Sequence, residues 1–145
     1  MPEKETIERA HEDAREGKSA STQAGEFVRE EMDHIRQGKH GARSPQQAIA
    51  IGLSKARRAG VNLVPPKGPS ETREKAEQDI EAGKDRRHKK SRRRSRATTN
   101  ALKHESKRSA SRQALSRQAR RSAAKRGKKA RSAAAIKAAR TRKAA

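Results

Sequence analysis

The residues of this chain that could do chemistry are a long run of cations, five histidines and a few paired carboxylates. The cations dominate. Lys and Arg neutralise phosphates and release condensed counterions, which gives strong, salt-sensitive binding to nucleic acid. They stand at Arg86, Arg87, Lys89, Lys90, Arg92, Arg93, Arg94 and Arg96, then at Lys103, Lys107, Arg108, Arg112, Arg117, Arg120 and Arg121. The series ends with Lys125, Arg126, Lys128, Lys129, Arg131, Lys137, Arg140, Arg142 and Lys143. Against these 24 bases, residues 86–145 hold one acid, Glu105, for a net charge of +23. Residues 1–85 hold 15 bases and 16 acids, for a net of −1. A short charge run is an ordinary solvated surface. Sixty residues with one acid repel themselves unless a polyanion offsets the charge. Phe27 is the only Phe, Tyr or Trp in the chain. Single strands and RNA loops are gripped by stacking bases on aromatic rings, so this tail favours the backbone of a duplex. Nothing rigid holds its side chains against base edges, so no sequence readout is expected.

The other candidates are weaker. His11, His34, His40, His88 and His104 form no H-E-x-x-H pair. His34 and His40 flank a turn with Asp33 nearby, too few converging ligands to expect a metal. Glu30 and Glu31 lack a pocket that would shift their pKa values. No phosphate-cradling glycine loop occurs. The expectation is therefore no catalytic residue, no metal ligand and no cofactor.

The elements that must carry the cations are helical. The chain has 145 residues, enough for one small domain plus tails. It has no Cys, which rules out a disulfide scaffold and a cysteine zinc site. No run approaches the roughly 18 apolar residues of a membrane span. The charged stretch from Met1 to Glu16 lacks the apolar region of a signal peptide. Ile, Leu, Val, Met and Phe number 16, and ten of them lie between Phe27 and Val64. The fold class expected is mostly α: a small helical hairpin module, exposed charged helices, and a basic C-terminal tail that is disordered or conditionally helical. Its divisions are a charged N-terminal helix over 1–19, the hairpin over 20–64, a Pro-containing linker and charged helix over 65–85, and the basic tail over 86–145.

Local signals set the helices. The first spans about Glu3 to Glu16. A Ser/Thr linker over 19–22 precedes a second, about Ala24 to Gln37, with Phe27, Val28, Met32 and Ile35 on one side. The third starts at Ser44 as N-cap, with Pro45 at N1 and Gln47 at N3 completing a capping box. Ile49, Leu53 and Ala56 form its stripe, Gly52 leaves room for close packing, and Gly60 suits its C-terminal stop. Val61, Leu63 and Val64 then fold back before Pro65-Pro66. A fourth helix, Ser70 to Ala82, is capped by Ser70, closed by Gly83-Lys84 and expected to face solvent. The triplets at 16–18, 37–39 and 82–84 share a Gly-Lys ending and read as helix stops. In the tail only Leu102, Leu115 and Ile136 could pack. Ala and Arg favour helix, while like charges at i, i+4 oppose it, so the free tail is expected to gain helix on a nucleic acid.

The stretch from Gly38-Lys39-His40-Gly41 through Ser44-Pro45-Gln46-Gln47-Ala48-Ile49-Ala50-Ile51-Gly52-Leu53-Ser54-Lys55-Ala56-Arg57-Arg58 resembles a small bacterial domain family of unknown function. Members carry a Gly-Lys turn and then a Q-A-I-A-I-A-L-S-x-A-R helix. Ser21 to Glu31 looks like a longer subgroup, and the likeness covers about residues 1–65. It departs at Gly52, where Ala is usual, and at Lys55, where an acid is common. The resemblance implies a bacterial origin and no established activity. The tail is similar in composition to bacterial linker-histone-like proteins, though richer in Arg and poorer in Lys and Pro.

The function expected is a non-enzymatic, cytoplasmic, nucleoid-associated protein whose tail binds DNA, with RNA as the open alternative. The hairpin over 20–64 would engage a second copy or a protein partner through Phe27, Val28, Met32, Ile35, Ile49, Leu53 and Ala56. The competing expectation is an adaptor whose hairpin binds a protein and whose tail only tethers it to nucleoid or ribosome.

Overall fold

The structure, a computed structural model, describes residues 2–85 and 91–144, and falls into two compact units, Met1–Ala110 and Ser111–Ala145. The first unit holds α1 (Lys4–Arg15), α2 (Ala20–Arg36), α3 (Pro45–Arg58), α4 (Ser70–Lys84), α5 (Arg92–Lys103) and a 3-10 turn, Lys107–Ala110. The second holds α6 (Arg112–Ala144). No strand occurs among the described residues, so the chain is mostly α. In the first unit α2 is central, with α1 and α3 packed on it. α4 covers α3, and the 3-10 turn lies on α2 and α3.

Glycine ends three helices in the same way. Gly17, Gly38 and Gly60 have φ of 73°, 77° and 96°. In each case the next residue reaches back: Lys18 N–H to the Asp13 carbonyl, Lys39 to His34, and Val61 to Ala56. This is the Schellman arrangement, which needs a left-handed residue that glycine supplies without strain. The third Gly-Lys triplet is different. Gly83 lies inside α4 and presses on α3, where an added Cβ would overlap the Arg57 carbonyl. It is a packing glycine and not a stop.

Three helix starts differ in detail from expectation. Ser19 caps α2 by accepting from the Thr22 N–H at 3.4 Å, so the Ser/Thr segment is a cap and first turn, not a linker. Ser44 accepts from the Gln47 N–H at 3.2 Å as expected, but the Gln47 side chain accepts from the Arg43 N–H at 2.7 Å, one residue before the cap. Ser70 is the first residue of α4, and Pro69 occupies the cap position without a side-chain bond.

Phe27 is fully buried, surrounded by Ala10, Ala24, Ala56 and Val61, with Ile7, Leu53 and Leu63 at the edge. Of the expected hairpin face, Phe27, Met32, Ile35 and Ala56 are buried, while Val28, Ile49 and Leu53 are half-buried. The charged flanking helices take part. α1 buries Thr6 and Ala10. α4, expected to face solvent, buries Ala76 and Asp79 against the unit. Small side chains let helix backbones approach closely, a contribution that a count of large apolar residues misses. Asp79 is 2% exposed and accepts from Arg58 Nε at 2.8 Å, with Lys75 Nζ at 3.6 Å.

The start of the basic segment also belongs to the first unit. Gly41 N–H donates to the Leu102 carbonyl at 2.8 Å, and Ala42 N–H to that of Ser106 at 3.1 Å. Arg36 Nε donates to the Ala110 carbonyl at 3.2 Å, and Ser109 and Ala110 are buried. An added Cβ at Gly41 would overlap the Glu105 carbonyl, so only glycine admits this close backbone approach. α6 is helical where the sequence suggested coil for a free tail. Ala and Arg supply the propensity. Its one break is Gly127, at φ 73° and ψ 165°. There the Arg131 Nη1 donates to the Ala123 carbonyl at 3.1 Å, a side-chain bond that spans the break.

Candidate nucleic-acid interface

Four of the 24 tail cations, Arg86, Arg87, Lys89 and Lys90, lie outside the described residues. The remaining 20 are all exposed. Among the described residues, no ion pair joins any of them to an acid. The tail's only carboxylate, Glu105, sits 3.7 Å from Arg43 Nε, in the first half of the chain.

The cations sit on regular elements. Arg92, Arg93 and Arg94 form the first turn of α5, the positive end of its dipole, capped by Ser91 through the Arg94 N–H. Cations are disfavoured there, and an anion would relieve them. Lys107 and Arg108 project from the 3-10 turn. Along α6, at about 100° per residue, Arg117, Arg120, Arg121 and Lys125 fall at i, i+3, i+4 and i+8 on one face, and Arg126 lies on the opposite side. Such a face can lie along a phosphate backbone. Phe27 is in the core, so no Phe, Tyr or Trp ring is available for stacking. No described helix is long and apolar enough to cross a membrane.

A second polar cluster lies at the end of α2, well before the basic segment in sequence. Glu3 N–H donates to Glu30 Oε2 at 3.0 Å. His34 Nε2 and Lys39 Nζ reach Glu3 Oε1 at 2.9 and 3.0 Å. Those two bonds, the histidine's foremost, hold the Glu3 carboxyl down at about 2. Burial opposes ionisation of Glu30, yet the Glu3 N–H, the Thr6 hydroxyl and Lys55 outweigh it and keep its pKa below the usual value. Lys55 stands 3.2 Å from Glu30 Oε1 and 2.6 Å from Glu31 Oε2. It bridges α3 to two acids of α2. Asp33, paired with the two histidines on sequence, turns instead to Arg36 at 3.2 Å. Glu31 takes its place, and a carboxylate oxygen of Glu31 lies within 4.8 Å of a ring nitrogen of His34 and one of His40. The missed signal was the i, i+3 spacing of Glu31 and His34, which puts both on one helix face.

The first unit is thus an all-α assembly with a buried acid cluster and a docked basic segment. Residues 15–68 match a family described as a family of unknown function (DUF6496). The match takes in α2, the Gly38–Ala42 turn and α3, and agrees with the resemblance drawn on those residues. α4, α5 and α6 lie beyond it. No curated protein and no solved structure matches the chain.

Proposed function

We propose that this chain binds duplex nucleic acid, DNA foremost, through phosphate contacts made by residues 91–144. It acts without sequence preference and without catalysis, as a bacterial nucleoid-associated protein. The observation that carries the reading is the set of 20 exposed cations that, among the described residues, form no ion pair with an acid, while the one acidic side chain of the tail, Glu105, lies 3.7 Å from Arg43. A polycation without internal counter-ions is held at a cost that phosphates remove. The helical unit anchors the start of that arm through residues 102–110. The adaptor alternative draws less support, because Phe27, Met32, Ile35 and Ala56 are spent in the unit's own core.

The test is a gel shift with the full chain and with a chain ending at Ala110. If the arm contacts about six to ten phosphates, affinity falls by about 10³–10⁵ between 50 and 200 mM salt. The shortened chain loses most of the binding, and random duplex competes as well as any natural one. A flat salt response, or undiminished binding by the shortened chain, refutes the reading. A preference for duplex RNA over DNA of equal length moves it to RNA.

A further inference from the structure

The nucleic-acid reading leaves the Glu31, His34 and His40 cluster unused. Glu31 is fully buried, and neither of its oxygens meets a donor at hydrogen-bonding geometry. Lys55 Nζ is close to Oε2, at 2.6 Å, and His40 Nε2 is 3.3 Å from Oε1, but neither completes a bond to it. The Lys55 charge offsets part of the cost of burying this carboxylate, but its hydrogen-bonding capacity is left unfilled.

The histidines are set up to receive something. His40 Nδ1 lies 3.1 Å from the Gly41 carbonyl oxygen, which can only accept, so Nδ1 carries a proton. In the neutral ring, Nε2 then presents a lone pair to Glu31 Oε1, another acceptor. A positive species belongs between them, either a second ring proton or a metal ion. His34 has a matching arrangement: Nε2 donates to ionised Glu3 at 2.9 Å, which leaves Nδ1, 3.9 Å from Glu30 Oε1, as the ligand nitrogen. A carboxylate behind one ring and a backbone carbonyl behind the other are the outer partners that orient metal-binding histidines. The two rings meet edge to face at 83°, their centres 6.2 Å apart, and retain 12% and 13% side-chain exposure for entry of an ion.

The geometry points to a metal site in which Glu31, His34 and His40 bind one divalent transition-metal ion, best matched by zinc. Two imidazole nitrogens and one carboxylate oxygen suit zinc, whereas calcium and magnesium demand oxygen ligands. Bonds of about 2.1 Å place tetrahedral ligand atoms roughly 3.4 Å apart, so the cluster need draw in by roughly 1.4 Å at most along its longest edge. Lys55 opposes a dication, but Glu30 Oε1 at 3.2 Å gives it a second anion to hold. Glu3, Glu30 and Glu31 outnumber Lys39 and Lys55 in the cluster, so a dication meets a net negative surrounding. The metal would tie α2 to the Gly38–Ala42 turn, on which residues 102–106 dock.

The experiment titrates zinc chloride into the untagged full chain after chelation, at pH 7.5, by calorimetry. One ion binds per chain, and the melting temperature rises with zinc concentration. Glu31→Gln and His40→Gln each weaken binding by at least about tenfold, while His104→Gln, outside the cluster, leaves it unchanged. Absence of one-to-one binding overturns the proposal, as does binding that survives both cluster substitutions. Imidazole ¹⁵N resonances of the unmutated chain give a readout independent of variant folding. Zinc shifts His34 and His40 and spares His11, His88 and His104. A doubly protonated His40 ring that zinc fails to displace identifies the gap as a proton's place and overturns the site.

Discussion

Gly52 of α3 lies against the backbone of Val28 in α2: a Cβ added to Gly52 would stand 2.7 Å from the Val28 Cα and 3.0 Å from its nitrogen. Backbone cannot swing aside as a side-chain end can, so the two helices would have to part. Glycine at this position permits a close crossing of the two helices.

Gly52→Ala therefore destabilises the chain by about 1–3 kcal/mol, the range for overpacking a filled contact. Gly25→Ala, in α2 with nothing within 4 Å of the added carbon, stabilises it by about 0.5–1 kcal/mol through helix propensity. Urea midpoints of the two variants should move in opposite directions. Shifts of the same sign would contradict the crossing described.

The contact between residues 38–42 and 102–110 should show as stability. A chain ending at Asp85 loses two backbone hydrogen bonds, worth about 1 kcal/mol each, and the covering of Ser109 and Ala110. It should be less stable than a chain ending at Ala110 by about 2 kcal/mol or more. Gly41→Ala in the longer chain should mimic much of that loss. Coincident denaturation curves for the two lengths would refute the docking.

Acid should unfold the first unit through Glu3 and Glu30. Both carboxyls titrate below the ordinary value of 4.5 in the folded chain, Glu3 at about 2. A depressed folded pKa contributes stability that is complete above the unfolded value and is lost as pH falls through the folded one. Denaturation midpoints should therefore hold steady above about pH 5 and decline between about 4.5 and 2. Glu30→Gln should shrink that decline. A midpoint that rises on acidification would give the wrong sign.

Helix content should respond to anions in α6 far more than in the first unit. Cations crowd α6, and like charges at i, i+4 cost about 0.2–0.5 kcal/mol per pair. Far-ultraviolet circular dichroism of residues 111–145 should gain helix with sulfate or duplex DNA, while residues 1–110 stay constant. An unchanged spectrum at saturating DNA would show that repulsion does not govern this helix.

Much of the fold was legible because its signals are local. Ser44, Pro45 and Gln47 announce α3 by hydrogen-bonding rules that act within four residues. Gly17, Gly38 and Gly60 mark stops by backbone conformation alone. Gly83 carries the same Gly-Lys sequence but answers to the Arg57 carbonyl across a helix contact, which no local rule contains. Ala10, Ala76 and Ala110 are buried by neighbours distant in the chain, and alanine gives no warning of it. The docking of residues 102–110 was hidden by the surrounding charge. Its only traces are small residues on both sides, Gly41-Ala42 and Ser109-Ala110, and a lone acid at Glu105. The exposed cations were legible from composition. The convergence of Glu31 on His40 depends on how the turn folds back, so only half of that cluster could be read along one helix.

The bonds from Gly41 and Ala42 to Leu102 and Ser106 also set a schedule for synthesis. They join points about sixty residues apart in the chain. At about 5–20 residues per second, the ribosome delivers the second partner roughly 3–12 s after the first. In that interval α3 follows the turn out of the ribosome, and the Gly38–Ala42 turn stays uncovered with its two amide donors held by water. The nascent chain thus passes through an incomplete state long enough for a chaperone to sample. The last and most positive stretch, α6, emerges only after the segment that completes the first unit. The 13 cations of α6, just over half of the 24 in residues 86–145, are therefore released into a cell crowded with RNA only when the rest of the protein is able to close.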